Sequence, residues 1–178
     1  LPFTQAGVLR VEAGVFADGG GGVKSGEIEV LPGAVYRLSR SEHALDGVTF
    51  SGGGVVEQAS GTVRHVGDVV VPDGLTYRKT GNGTLTGDGV FSVAGRFEWL
   101  DGTLAGSGET VVRPGGELYL GGTAKSLQRR LRNESTAGLW DSGWLYLSGD
   151  GVSFENAAGA ALEVRADSQL VVSRSPGT

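Results

Sequence analysis

Short runs of alternating apolar and polar residues, separated by glycines, recur along the whole chain. Residues 99–119, WLDGTLAGSGETVVRPGGELY, show the arrangement most clearly. Alternation with a period of two is typical of a β-strand with one buried side, and the glycines and Pro-Gly pairs between the runs are typical of turns. The pattern predicts an all-β chain built from short strands of roughly 4–6 residues.

The glycines recur at a fixed interval of 41 residues. Three series run in phase: Gly20, Gly61, Gly102 and Gly143; Gly26, Gly67, Gly108 and Gly149; and Gly33, Gly74 and Gly115. The third series continues at Asn156, which we expect to adopt a left-handed turn conformation as a glycine would. A half-period of about 19–22 residues is also visible, because GTLTGDG at 83–89 resembles GTLAGSG at 102–108.

Two repeat architectures accept a period of this length. A propeller blade has about 40–45 residues in four antiparallel strands, and Trp140-Asp141 supplies the Trp-Asp pair of such blades. The half-period favours a single-stranded parallel β-helix (β-solenoid) of about 8–9 coils, in which each 41-residue unit forms two coils. We expect one array over residues 1–178, with repeat units at about 6–46, 47–87, 88–128 and 129–169.

Three degenerate motifs accompany the glycine series: G-T-L-x-G-x-G, W-x-x-G-x-L, and the L-x-N and F-x-N pairs at Leu131/Asn133 and Phe154/Asn156. The chain resembles, best over residues 45–165, the glycine-rich parallel β-helix repeats of bacterial cell-surface and secreted proteins, including autotransporter passengers and filamentous adhesins. The resemblance implies a β-helix and an extracellular or cell-surface location in a bacterium. It implies no catalytic residue.

Composition narrows the functional classes. The 178 residues include 33 glycines and carry a formal net charge of −5, so the broad basic surface of a nucleic-acid-binding protein is not expected. The chain has no cysteine, which excludes disulfides and zinc-thiolate sites, and no apolar run approaches the ~18 residues of a membrane-spanning helix. It also has no methionine, so Leu1 follows a cleavage or the chain is part of a longer one.

Acidic pairs are the first candidates for catalysis. Glu57/Glu98 and Asp101/Asp141 are separated by about one repeat unit, which places each pair two coils and roughly 9–10 Å apart. A retaining glycosidase needs its carboxyl groups about 5–5.5 Å apart. We therefore interpret these acids as solvated turn residues and expect no catalytic residue.

The two histidines, His43 and His65, are the candidate metal ligands. A pair 22 residues apart could meet on adjacent coils and bind a metal with Asp46 or Asp68, but the favoured interpretation is that both are exposed corner residues. Bare Gly-Asp-Gly strings are interpreted as turns because the nine-residue period of a calcium-binding β-roll is missing. We expect neither a metal nor a cofactor.

One basic segment stands out, AKSLQRRLRNE at 124–134. Its composition suits a helix, but its place in the repeat favours a strand followed by a basic loop. Arg129, Arg130 and Arg132, with Lys125, form a candidate surface for an anionic glycan or an acidic partner. The alternative is a solvated loop without a partner.

Large aromatic residues form the second candidate surface. Trp99 and Trp140 share one register, and a buried ladder is the favoured interpretation for them. Trp144 and Tyr146 are candidates for a platform that stacks against sugar rings. The tyrosines beside the Pro-Gly turns carry the same ambiguity between core and platform; they are Tyr36, Tyr77 and Tyr119.

These patterns predict a non-enzymatic structural or adhesive module, which associates with itself through open solenoid ends or continues into a longer chain. The alternative function is a carbohydrate-binding or polysaccharide-depolymerising β-helix. A third hypothesis, a threonine ladder for an ice or mineral surface, is disfavoured because Gly20 and Trp144 occupy the steps that flank Thr62 and Thr103.

Overall fold

A computed structural model describes residues 1–173, which contain 24 short β-strands and no helix. The last five residues of the predicted array, 174–178, lie outside the described residues. The first eight strands are β1 (Val8–Val11), β2 (Val15–Asp18), β3 (Gly22–Lys24), β4 (Glu27–Val30), β5 (Val35–Leu38), β6 (Glu42–Asp46), β7 (Thr49–Gly52) and β8 (Val55–Gln58). The next eight are β9 (Thr62–Val66), β10 (Val69–Val71), β11 (Thr76–Lys79), β12 (Thr84–Gly87), β13 (Val90–Val93), β14 (Arg96–Trp99), β15 (Gly102–Leu104) and β16 (Glu109–Val112). The last eight are β17 (Glu117–Leu120), β18 (Ala124–Leu127), β19 (Arg130–Asn133), β20 (Ala137–Trp140), β21 (Trp144–Ser148), β22 (Ser153–Asn156), β23 (Leu162–Val164) and β24 (Gln169–Ser173).

The strands wind into a three-sided solenoid of eight coils. Each strand pairs in parallel with the strands three places before and after it, so every third strand lies on the same face. Face 1 begins with β1, face 2 with β2 and face 3 with β3; the ladder of face 1 is interrupted between β7 and β10. The parallel pairing confirms the predicted β-solenoid and excludes the propeller, whose blades are antiparallel.

The 41-residue repeat corresponds to two coils, as the half-period predicted. The strands β3, β9, β15 and β21 are six strands apart, and Gly61, Gly102 and Gly143 mark or precede their starts with positive φ. Coils are not equal in length: paired residues are separated by 19 positions at Leu85 and Leu104, but by 23 at Leu104 and Leu127. Because these lengths vary, a constant offset in the sequence does not always follow one column of the structure.

The corner between faces 1 and 2 explains the third glycine series. Residues 31–34 form a β-turn in which the amide of Ala34 donates to the carbonyl of Leu31 at 2.9 Å, and Gly33 takes φ 82°. This is the geometry that Pro-Gly favours in a type II turn. The prediction for Asn156 was wrong: it ends strand β22, and Gly159, with φ 85°, takes the turn position.

Inward-facing residues from successive coils stack in columns that form the core. One column on face 2 contains Tyr36, Val56, Tyr77, Phe97 and Leu118. Trp99 and Trp140 lie in the adjacent column with Leu120 between them, which confirms the predicted ladder. All of these side chains are buried. Shared columns therefore supply most of the apolar burial that stabilises the fold.

The basic segment 124–134 contains no helix and not one strand but two, β18 and β19. Leu127 and Leu131 both point into the core, and the corner between the strands falls at 128–129. The helix-forming composition of the segment is overridden by the pairing of both strands with neighbouring coils. This placement decides which of its cations reach the surface.

Candidate functional site

Trp144 and Tyr146 lie on the outer side of face 3, near its C-terminal end. Alternation along β21 points Leu145 inward and both aromatic rings outward. The ring centroids are 5.8 Å apart with the planes tilted by 51°, and Trp144 keeps 44% of its surface exposed. The two candidate platform residues therefore form one exposed aromatic pair.

The side chains around this pair are small or uncharged. In the preceding coil Ala124 pairs with Trp144 and Ser126 pairs with Tyr146, and in the following coil Gln169 pairs with Trp144. Further along the same column Thr103 lies next to Ser126. Small neighbours leave the aromatic rings standing above the surrounding face.

The hydroxyl column on face 3 is longer than the sequence indicated. Thr62, Thr84, Thr103 and Ser126 occupy successive coils, with Tyr146 as the next member. A constant step of 41 residues connects Thr62 only to Thr103 and misses Thr84, because the coil lengths on either side of Thr84 are unequal. Hence the flanking residues are not those predicted from the sequence: Glu42 and Tyr146 border the column.

The basic cluster does not form one surface. Arg129 is 2% exposed, so its assignment to a surface or solvated loop was wrong, and Lys125 is fully buried. Arg130 is exposed at the start of β19, and Arg132 forms ion pairs with Glu134 at 3.0 Å and Glu155 at 3.6 Å. Only Arg130 and Arg132 therefore remain available to a partner from this cluster.

Arg129 runs inside the solenoid towards His65, which lies three coils earlier. Its guanidinium donates to His65 Nε2 at 3.0 Å and to the carbonyls of Gly89 at 3.1 Å and Ala105 at 3.3 Å. A Cβ added at Gly108 would lie 2.8 Å from the guanidinium, so the glycine leaves the space that the side chain needs. Arg129 thus ties non-adjacent coils together from within.

His65 is buried as well, contrary to its prediction as an exposed corner residue. Its Nδ1 lies 2.8 Å from the carbonyl of Gly67 and its Nε2 accepts from Arg129, an arrangement that fits a neutral ring. Burial lowers the pKa of His65, and the positive charge of Arg129 lowers it further. The ring is therefore neutral at neutral pH and acts as a structural acceptor.

A second buried polar cluster surrounds Asp18 in the first coil. Its carboxylate accepts from the Tyr36 hydroxyl at 3.0 Å and pairs with Lys24 Nζ at 3.0 Å, and His43 Nδ1 lies 3.6 Å away. Burial lowers the pKa of His43 more than the neighbouring Asp18 raises it. His43 too is inside the protein, so its prediction as a corner residue was wrong.

All three lysines of the sequence are buried: Lys24, Lys79 and Lys125. Each ammonium donates to backbone carbonyls at the corner between faces 2 and 3, for example Lys79 to Gly81 and Gly83, and Lys125 to Gly121 and to Ser142 at 3.2 Å. Burial lowers the pKa of Lys79 and of Lys125 to about 8. These amines satisfy corner carbonyls that would otherwise be left without a donor.

The acidic pairs occupy structural positions. Glu57 and Glu98 share a column two coils apart, as predicted, and Arg78 lies between them. Burial alone would raise the pKa of Glu98, but hydrogen bonds from Arg78 and Arg96 and their charges hold it below its usual value. Glu57 accepts from Arg37 at 2.8 Å. Both carboxylates are therefore held as ionised partners of arginine.

The other acidic pair and Tyr119 are also engaged. Asp101 accepts from the amide of Gly102 at 2.7 Å, and Asp141 accepts from the Tyr119 hydroxyl at 3.0 Å. The guanidinium of Arg96 lies 5.3 Å from the centre of the Tyr119 ring, whereas Tyr36 and Tyr77 are fully buried. Tyr119 borders a shallow groove of about 410 Å³ on face 2, which Arg96 and Gly138 also line.

Within residues 1–173 no group of three or more histidine, cysteine, aspartate or glutamate side chains is arranged to hold a metal ion. The same residues contain no helix of the length and apolar character needed to cross a bilayer. Neither a protein-family model, a curated protein nor a solved structure shows a significant match to this chain.

Proposed function

We propose that this chain is a non-enzymatic structural or adhesive module of a bacterial surface or secreted protein. It forms one segment of a rod whose end coils are covered by further coils, supplied by the same polypeptide or by a second copy. The observation that carries the proposal is the distribution of exposed apolar side chains. Apart from Val70 and Trp144, those of the described chain belong to the first and last coils: Leu1, Phe3, Val8, Val15, Phe16, Val23, Val164, Leu170 and Val172.

At the C-terminal end these residues continue the inward columns of the core. Val164 lies beneath Trp140 and Leu170 lies beneath Leu145, both of which are buried. Val164 remains 56% exposed because no further coil of the described residues covers it. Covering such a position with one more coil removes apolar surface from water, at about 25 cal/mol per Å².

The N-terminal end has the matching property. Phe16 stacks on the buried Tyr36 with ring centroids 5.8 Å apart and still exposes 38% of its surface. Phe3 packs edge-on against Phe16 and covers it in part. Apolar contact is therefore offered at both ends of the stack.

The backbone at the two ends is also unpartnered. Strands β1 and β2 pair only with β4 and β5, while β22, β23 and β24 pair only with the preceding coil. Free parallel edges are templates for additional strands. Extension of the rod at these edges gives an open fibre, because head-to-tail contacts do not close.

The long faces support a structural role more than a catalytic one. Arginine and glutamate alternate along face 2 and neutralise one another, as Arg37 with Glu57 and Arg78 with Glu98. The histidines are buried and hydrogen-bonded. The extracellular bacterial location rests on the resemblance of the glycine-rich repeat to surface and secreted β-helices.

Sedimentation velocity over a hundredfold range of protein concentration tests the proposal. We expect the chain to form larger species as concentration rises, and Val164→Lys to suppress them by placing a charge on the uncovered column. Val70→Lys is the matched control, because Val70 is 53% exposed on face 1 but lies away from both ends. A monomer at all concentrations, or equal suppression by both variants, would contradict association through the ends.

A further inference from the structure

We propose that the C-terminal half of face 3 binds an uncharged polysaccharide, with Trp144 and Tyr146 stacking against its sugar rings. This inference rests on the adhesive part of the proposed function and specifies its ligand class. The binding strip comprises the outward residues of β15, β18, β21 and β24.

The first argument is the aromatic pair. Trp144 is the only one of the three tryptophans that is exposed; Trp99 and Trp140 are in the core. Its ring is tilted by 51° against Tyr146, so the two rings do not cover each other face to face. The apolar face of a pyranose ring packs on such an aromatic surface, while its hydroxyls remain free to hydrogen-bond at the edges.

The second argument is the charge of the strip. Its outward positions hold Thr103, Ala124, Ser126, Trp144, Tyr146, Ser148, Gln169, Val171 and Ser173, so no charged side chain points outward from these four strands within the described residues. Elsewhere the outward columns are charged, as with Arg64 and Glu42 earlier on face 3, and Arg132 and Glu155 on face 1. An acidic polymer or an anionic membrane would find no cation on this strip.

The third argument is direction. Ser126 and Thr103 continue the column of Tyr146 along the solenoid axis, and Thr84 and Thr62 extend it further. Successive hydroxyls are about 4.8 Å apart, the spacing of adjacent strands. Gln169 adds an amide donor and acceptor on the other side of Trp144. A linear sugar chain laid along the axis would meet an aromatic platform and then a row of hydroxyls.

These three features together favour a neutral glycan over a protein partner. Protein interfaces of ordinary size bury about 800 Å² per partner around a desolvated apolar core. The strip offers two aromatic rings amid hydroxyl and amide groups, which suits a narrow, hydroxyl-rich polymer. The strip lies on a long face, so it remains accessible when the ends of the rod are covered.

Co-sedimentation with insoluble neutral polysaccharides tests the inference, using cellulose, chitin, β-1,3-glucan and mannan, with polygalacturonate gel as the charged comparison. We expect at least one neutral polymer to bind the wild-type chain, and Trp144→Ala to weaken that binding at least tenfold. Trp144→Phe keeps an aromatic ring and should restore most of it. Because Trp144 is exposed, none of these changes should alter the melting temperature by more than a few degrees.

Fluorescence gives a second readout on the same proteins. Acrylamide reaches only the exposed tryptophan, so soluble oligosaccharides of the bound polymer should reduce quenching in the wild type. The inference is overturned if no neutral polymer binds, if only polygalacturonate binds, or if Trp144→Ala binds as well as the wild type.

Failure of this inference is separable from failure of the proposed assembly. Trp144→Ala should keep the concentration-dependent association of the wild type, and Val164→Lys, on face 2, should keep glycan binding while association is lost. A chain that assembles but binds no neutral glycan refutes the ligand alone. A chain that binds glycan but never assembles refutes association through the ends alone.

Discussion

Replacement of Arg129 by alanine tests whether the interior of the solenoid is held by polar side chains as well as by apolar columns. The guanidinium is buried and donates to one histidine nitrogen and two backbone carbonyls in earlier coils. Burial lowers the pKa of Arg129 to about 10, so the group stays charged at neutral pH. Its removal leaves three acceptors without their donor.

The expected magnitude follows from those contacts. A hydrogen bond to a charged group contributes about 1.5–3 kcal/mol, and the buried guanidinium offsets part of the total through its own desolvation. We expect a net loss of about 3 kcal/mol in the free energy of unfolding. For a chain of this length that corresponds to a melting temperature lowered by about 6–12 °C.

Arg130 is the matched control because it is the adjacent residue in sequence, carries the same charge and is exposed. Arg130→Ala should change stability by no more than about 0.5 kcal/mol. Arg129→Met retains much of the side-chain volume without the donors, and separates lost packing from lost hydrogen bonds. Thermal unfolding followed by circular dichroism at pH 7.5 gives all three values. Equal melting temperatures for Arg129→Ala and Arg130→Ala would refute the internal role of Arg129.

Three further outcomes follow from the interior. Gly87→Ala should destabilise the fold by about 1–3 kcal/mol, because a Cβ there would lie 2.5 Å from the ring of His65, while Gly7→Ala, where no atom lies within 4 Å, should be neutral in the same urea titration. Stability measured by urea should rise between pH 8 and pH 10, because the unfolded chain binds protons at lysines of pKa 10.5 whereas Lys79 and Lys125 release theirs at about 8 in the folded state; a fall over that window contradicts the burial of these amines. Stability should decrease as the pH falls below 6.5 towards the lowered pKa values of the two buried histidines, and a flat profile there would contradict their neutral, buried state.

The sequence predicted the architecture because glycine spacing records the geometry of the corners. Gly33 and Gly74 must adopt positive φ to turn the chain, and their interval equals two coils. The ladder of Trp99 and Trp140 followed from the same interval. Individual columns were less predictable, since coils of unequal length shift the register, as at Thr84.

The polar interior was missed although a signal for it exists. In β11 Lys79 has the same alternation parity as Tyr77, and Arg129 lies midway between the inward Leu127 and Leu131. Such positions point inward by alternation alone. Charged residues were assigned to the surface because isolated burial of a charge is costly, but here backbone carbonyls at the glycine-rich corners receive the protons.

The aromatic pair shows the limit of the pattern. Alternation distinguishes Trp144 and Tyr146 from the inward Leu145, so their exposure was predictable. The uncharged strip around them was not, because it combines residues from four coils whose alignment depends on the register. The same dependence hid the continuity of the hydroxyl column with Tyr146.

Electron cryo-microscopy of the concentrated chain tests the central claim, growth of the rod through uncovered end coils, most directly. Eight coils about 4.8 Å apart make each copy roughly 40 Å long. The account predicts filaments one solenoid wide, with a 4.8 Å spacing along the filament axis and a longer repeat of about one chain. Isolated particles at every concentration, or sheets formed by side-to-side contacts with the 4.8 Å spacing interrupted at each copy, would contradict it.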